Sequence, residues 1–101
     1  MEITAFSIEE IKDPTNIIEG KRYEFLLDVE VDEDDELYSA AGIEIRVIAG
    51  QKDEEIRVLN YFLTDKADNK MLDFALEEEE EAMILTFVRE ELSKQQNAGN
   101  V

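Results

Sequence analysis

The feature that most constrains the fold is a regular alternation of apolar and polar side chains between residues 21 and 32. Successive side chains of a β-strand point to opposite faces of a sheet, so this alternation predicts a strand with one buried and one solvated face. The apolar positions are Tyr23, Phe25, Leu27, Val29 and Val31. We therefore predict a strand over residues 21–32, in a sheet that is covered on one face.

Other segments carry strand patterns separated by turn residues. We predict further strands over residues 2–8, 43–49 and 54–64. Turns are predicted at residues 13–16, 50–53 and 65–69. Connections this short favour antiparallel neighbours, because parallel crossovers need about a dozen residues. Whether residues 70–74 form a short fifth strand is left open.

The fourth predicted strand has apolar side chains on both faces. Simple alternation puts one set on one face: Ile56, Val58 and Phe62. It puts the other set on the opposite face: Leu59, Tyr61 and Leu63. If this second set faces away from the helix, a second copy of the chain could cover it, so a homodimer stays open beside a monomer.

The apolar spacing changes to three or four residues after residue 76, which predicts a helix. Its apolar stripe consists of Met83, Ile84, Phe87, Val88 and Leu92. Five glutamates, Glu77–Glu81, precede the stripe, and acidic side chains interact favourably with the positive end of a helix. Residues 95–101 lack periodicity and are predicted to form a frayed tail.

Together these patterns predict one α+β domain over residues 1–94. Its architecture is an antiparallel meander of four or five strands, with one C-terminal helix packed on one face. A chain of 101 residues can bury one core of modest size. We expect that core to contain Phe6, Tyr23, Phe25, Phe62, Phe74 and Phe87.

The net charge limits the classes of partner. The chain has 27 acidic and 10 basic residues, a formal net charge of −17. Such a surface repels nucleic-acid phosphates and anionic lipids, so direct binding to nucleic acid or to a membrane surface is not expected. Three explanations of the acidity remain: a basic protein partner, the binding of cations, or solubility alone.

The compartment is predicted from the N-terminus and from missing features. Glu2 lies where a secretory signal would carry a basic segment followed by an apolar run. No stretch approaches the roughly 18 uncharged apolar residues of a membrane span. The sequence has no cysteine and therefore no disulfide framework. We expect a cytoplasmic protein.

Catalytic residue types are scarce. Histidine and cysteine, the commonest general base and the strongest nucleophile, are both missing from the sequence. The four glycines are scattered singly and form no phosphate-binding loop. We expect no enzyme and no cofactor, although a small enzyme that uses paired carboxylates stays open.

Seven acids between residues 28 and 36 are the strongest candidate for a site. Carboxylates suit calcium or magnesium, but the EF-hand pattern is missing, so we expect no defined metal site and keep low-affinity divalent-cation binding as an alternative. On a strand, Asp28, Glu30 and Asp32 would form a row with intervals of roughly 6.6 Å, which suggests a DNA-mimic inhibitor as a second alternative. The leading hypothesis is contact with a basic protein partner through Asp28, Glu30, Asp32, Asp34, Asp35, Glu36 and Tyr38.

Three segments resemble a family of small acidic proteins of unknown function from Bacillus and related Firmicutes. They are MEITAFSIEEIKDPT, GKRYEFLLDVEVDEDDELYS and LDFALEEEEEAMILTFVREEL, which together span most of the chain. The resemblance implies a bacterial cytoplasmic protein. It implies no activity and no functional residues.

Overall fold

The computed structural model describes residues 1–12, 20–35, 38–53, 55–73 and 75–98, with residues 96–98 as backbone only. Within these residues the elements are β1 Glu2–Ile11, β2 Lys21–Glu30, β3 Ile43–Lys52, β4 Glu55–Asp65, β5 Lys70–Leu72 and α1 Glu78–Ala98. The strands form one sheet in the order β1-β2-β3-β4-β5, and neighbouring strands are antiparallel. The predicted α+β meander with one C-terminal helix is confirmed.

The bounds of several elements differ from the predicted ones. β3 continues to Lys52, so most of the turn predicted at residues 50–53 belongs to this strand. β1 continues to Ile11, and β2 ends at Glu30 rather than at residue 32. A turn follows β2, in which the Asp35 amide donates to the Asp32 carbonyl at 2.9 Å, so the chain bends where the alternation predicted more strand. Residues 70–72 do form a fifth strand, and α1 runs on through residues 95–98. The predicted turn at residues 13–16 lies outside the described residues.

The core lies between the sheet and α1. Every second residue of β2 and β3 is buried, and these residues are Tyr23, Phe25, Leu27, Val29, Ile43, Ile45, Val47 and Ala49. The helix contributes Ile84, Val88 and Leu92, which recur at intervals of four residues and therefore share one face. Phe25 is 0% exposed, and truncation of such a side chain to alanine costs about 3–5 kcal/mol of stability. The predicted buried face of β2 and the predicted apolar stripe of the helix are confirmed, since both contribute side chains to this core.

A β-bulge in β4 overturns the predicted division of its faces. Ile48 pairs with Asn60, but Ala49 pairs with Val58, so Leu59 is an extra residue on β4. An extra residue shifts the alternation by one position. The prediction was therefore wrong: the face towards the helix carries Ile56, Val58, Tyr61 and Leu63, and Phe62 lies on the other face.

The bulge also removes the argument for a homodimer. That argument required Leu59, Tyr61 and Leu63 to face away from the helix together, whereas Leu63 is 1% exposed and packs in the core. Leu59 remains outside and is 49% exposed. A Cβ at Gly50 would lie 2.9 Å from Leu59 Cδ1, so the leucine lies against this glycine.

The predicted aromatic core is confirmed in part. Tyr23 and Phe25 are buried, and Phe87 packs against the core. Phe6 belongs to the edge strand β1 and is 44% exposed, so its assignment to the buried core was wrong. Its ring makes an edge-to-face contact with the Phe87 ring, with centroids 5.0 Å apart. Phe74 lies outside the described residues.

Candidate functional site

The residues predicted to contact a partner lie at one end of the sheet, where β2 ends. Asp28 and Glu30 are on the sheet face opposite the helix, because they alternate with the buried Leu27 and Val29. The next residues form an exposed turn and loop that contain Asp32, Asp34, Asp35 and Tyr38. We call Asp28, Glu30, Asp32, Asp34, Asp35 and Tyr38 the acidic end. Glu36 lies outside the described residues.

A cleft of about 330 Å³ brings three residues of the acidic end together. Asp28 and Glu30 line it from β2, and Tyr38 lines it from the loop. Tyr38 is 45% exposed. Tyrosine is enriched in protein interfaces because its ring offers apolar area and its hydroxyl a hydrogen bond. The cleft therefore combines carboxylates and an aromatic ring, which together suit a cationic side chain.

Lys66 is a member of this cleft that the sequence does not indicate. Its ammonium group lies 3.0 Å from Asp28 Oδ1, and both side chains are 39% exposed. Exposed ion pairs of this kind contribute about 0–1 kcal/mol, so a cation from a partner can compete with Lys66 for Asp28. The two residues are 38 positions apart, which is why no local pattern pointed to the pair.

Asp65 connects the two segments that supply Ser39 and Lys66 to the lining of the cleft. Its Oδ1 accepts a hydrogen bond from the Ala67 amide at 2.9 Å and another from the Ser39 hydroxyl at 2.8 Å. These two donors stabilise the carboxylate and lower the pKa of Asp65 below its ordinary value, the Ala67 amide being the larger cause. The network ties the loop that holds Ser39 to the turn between β4 and β5.

The predicted row of carboxylates along β2 is not formed as expected. Asp28 and Glu30 are on the strand, but Asp32 belongs to the following turn, so the regular spacing stops after two residues. Asp28 is also paired with Lys66. In the described part of the chain, no three acidic side chains are grouped so that they could hold a metal ion.

The second acidic run, Glu77–Glu81, has identifiable structural roles at the start of α1. The Glu80 carboxylate accepts a hydrogen bond from the Glu77 amide at 3.1 Å, which is one half of a capping box. The Tyr61 hydroxyl lies 3.3 Å from Glu81 Oε1 and accepts a hydrogen bond from the Leu76 amide at 2.9 Å. Tyr61 thus anchors the start of the helix to β4, a long-range role that the sequence did not reveal.

A membrane-spanning helix is not found in the described residues, since α1 is too polar for that role. Comparisons with curated proteins and with solved structures gave no match. Residues 1–95 match a family of unknown function, DUF6509. This match covers nearly the whole chain, and the protein therefore belongs to the family DUF6509.

Proposed function

We propose that this protein is a non-enzymatic interaction module that binds a basic protein partner through its acidic end. The observation that carries the proposal is the exposed Tyr38 beside Asp28 and Glu30 in one cleft, within a chain of net charge −17. The setting we propose is the bacterial cytoplasm, which the resemblance to the acidic Firmicutes proteins implies.

The electrostatics of the acidic end support binding to a cationic surface. Glu30, Asp32, Asp34 and Asp35 are exposed and lie within six residues of one another. Their mutual repulsion in the free protein is relieved when a basic surface approaches, and complementary charge accelerates association. Asp28 can exchange its exposed pairing with Lys66 for a cation of the partner.

The non-enzymatic part of the proposal is supported by the pairing of charged groups within the fold at this end, where Lys66 is paired with Asp28. The cleft is lined by carboxylates, hydroxyl groups and the Lys66 ammonium group. Asp65, whose pKa is lowered, is held as an anion by hydrogen bonds within the fold, which suits a structural role better than that of a general base near neutral pH.

The test is a comparison of two triple charge reversals with the same net charge. The site variant carries Glu30→Lys, Asp32→Lys and Asp34→Lys, and the control carries Glu10→Lys, Glu79→Lys and Glu90→Lys at exposed positions elsewhere. The partner is first captured from host lysate by the immobilised protein, released by salt and identified by mass spectrometry. Its affinity for purified wild type and variants is then measured by calorimetry.

We expect the site variant to lose about tenfold or more in affinity, because three exposed ion pairs are replaced by repulsions. The control should lose much less, since charges beyond about 8 Å are screened at physiological salt. Equal losses in both variants would show that net charge alone governs binding and would refute the proposal. Competition between the partner complex and duplex DNA would instead identify DNA mimicry.

A further inference from the structure

β4 is longer than β5, its neighbour at the edge of the sheet, so part of the β4 edge has no strand beside it. β5 pairs only with Leu63, Thr64 and Asp65, and the chain leaves the sheet after Leu72. On that side, residues 55–62 of β4 have no strand partner among the described residues. Unpaired backbone groups on a sheet edge are a template for an added strand.

A contact from the helix shows which way one carbonyl of this edge points. Arg89 Nη2 on the helix donates to the Ile56 carbonyl at 3.5 Å, which places this carbonyl on the side of β4 away from β3. A bond of that length is at the limit of hydrogen bonding and is weak. An incoming amide can therefore replace Arg89 on the Ile56 carbonyl.

A groove of about 570 Å³ runs beside the open edge, between β4 and the first half of α1. Its lining includes the apolar side chains of Val58, Ala82 and Leu85. A strand added here would continue the line of β5 and would place alternate side chains over this apolar floor. We call this site the β4 groove.

The charge of the protein and of the groove lining indicates which kind of segment can bind in the β4 groove. Glu78 and Glu81 line its helical wall near the start of α1. The two arginines of the lining already have partners, since Arg57 is paired with Glu55 at 2.9 Å and Arg89 donates to the Ile56 carbonyl. A second copy of the chain would bring together two proteins that each carry −17, which opposes self-association. A cationic segment is attracted by the same charge.

We propose that the β4 groove binds an extended basic segment of another protein, added to the sheet as a strand alongside β4. Its alternate apolar side chains cover Val58 and Leu85, and its lysine or arginine side chains approach Glu78 and Glu81. The lining residues of the β4 groove and of the cleft at the acidic end do not overlap, so this inference does not depend on the proposed function.

The probe is a fluorescent heptapeptide of alternating lysine and valine, titrated with the full chain and followed by anisotropy. Two matched control peptides test the charge and the backbone hydrogen bonds separately. One replaces every lysine by glutamate, and the other keeps all side chains but is N-methylated at every internal amide. We expect both changes to weaken binding by about tenfold or more, because the first reverses the charge and the second removes the donors of strand pairing.

Two protein variants locate the site. Glu78→Lys changes the wall of the β4 groove, whereas Glu79→Lys changes a side chain that lies beside Met1 and Ile3 on the other flank of α1. Both residues are exposed in the first turn of the helix, so the two variants have the same net charge and the same effect on the helix end. We expect Glu78→Lys to weaken peptide binding about fivefold and Glu79→Lys to change it little.

Several outcomes would overturn this proposal. They are no binding of the lysine-valine peptide at about 1 mM, unchanged affinity of the N-methylated peptide, and equal effects of the two variants. A concentration-dependent dimer in sedimentation that the peptide dissociates would assign the groove to a second copy and would also overturn it.

Discussion

At the scale of single residues, the acidic end is organised by side chains other than its exposed acids. Ser39 and Asp65 join the loop after β2 to the turn after β4, and Lys66 holds Asp28. Asn69, with a φ of 58°, closes that turn by donating its amide to the Asp65 carbonyl at 2.8 Å. These contacts hold the backbone beside Tyr38, because Ser39 is its neighbour in the chain.

The lowered pKa of Asp65 predicts a pH-dependent contribution to stability. Its folded-state pKa lies below the unfolded value of about 3.9, so the contribution is complete above that value and is lost as the pH falls through the folded pKa. We expect the difference in unfolding free energy between wild type and Asp65→Asn to be constant above about pH 5 and to shrink towards pH 2. Urea unfolding across this range measures it.

The companion measurement is an NMR titration of the Asp65 carboxyl group. In Ser39→Ala, the loss of the hydroxyl donor should raise the pKa of Asp65 towards its ordinary value, while the bond from the Ala67 amide persists. A pKa of Asp65 at or above about 3.9 in the wild type would contradict the two hydrogen bonds to its carboxylate.

At the scale of elements, the bulge at Leu59 determines how β4 meets the rest of the fold. It lets Ile56 and Val58 on one side of the bulge, and Tyr61 and Leu63 on the other, face the helix together. Without it, one of these pairs would point to solvent. The Asn60 side chain accepts a hydrogen bond from the Tyr61 amide at 2.9 Å next to the bulge.

Two single-residue deletions in β4 test this role of the bulge. Deletion of Leu59 joins Val58 to Asn60 in register with Ala49 and Ile48, so all inward residues keep their face. We expect this variant to fold and to lose less than about 2 kcal/mol of stability. The measurement is urea unfolding monitored by circular dichroism.

Deletion of Arg57 is the matched control, because it also shortens β4 by one residue. It turns the buried Ile56 to the wrong face or breaks the pairing of Lys52 with Glu55. We expect a loss of about 2–5 kcal/mol, as for truncation of a buried isoleucine. If both deletions destabilise the protein equally, Leu59 is not the extra residue of the bulge.

At the scale of the whole molecule, a strongly acidic surface encloses an apolar core. No charged residue is buried among the described residues, so the charges repel one another mainly through solvent. Net charge far from zero favours solubility but destabilises the compact state through self-repulsion. Salt screens this repulsion, with a Debye length of about 30 Å at 0.01 M and about 3 Å at 1 M.

We therefore predict that salt stabilises the fold. The melting temperature should rise by several degrees between about 0.01 M and about 0.5 M NaCl, because screening weakens the repulsion among the acids. The control variant Glu10→Lys, Glu79→Lys, Glu90→Lys should show a smaller rise, since its net charge is less negative. A melting temperature that falls with salt would indicate that ion pairs such as Arg46–Glu24 outweigh the repulsion.

The sequence by itself determined the strands β2 and β3, the helical stripe and the order of the meander. Each of these follows from a local period and from short connections, and hydrophobic burial enforces that period along the whole element. The exposure of the acidic side chains could also be predicted from the sequence, because charged side chains stay in water.

Only the tertiary structure decided the face of Phe62, the exposure of Phe6, the end of β2 and the partners of Asp28 and Asp65. One extra residue at Leu59 changes the phase of β4 without any local sign, since apolar residues lie on both sides of it. Tyr61, Lys66 and Ser39 act on residues 15 to 38 positions away, a distance that no sequence period reports. The open edge of β4 likewise appears only once the short β5 is placed beside it, because the length of a strand's partner is a property of the sheet.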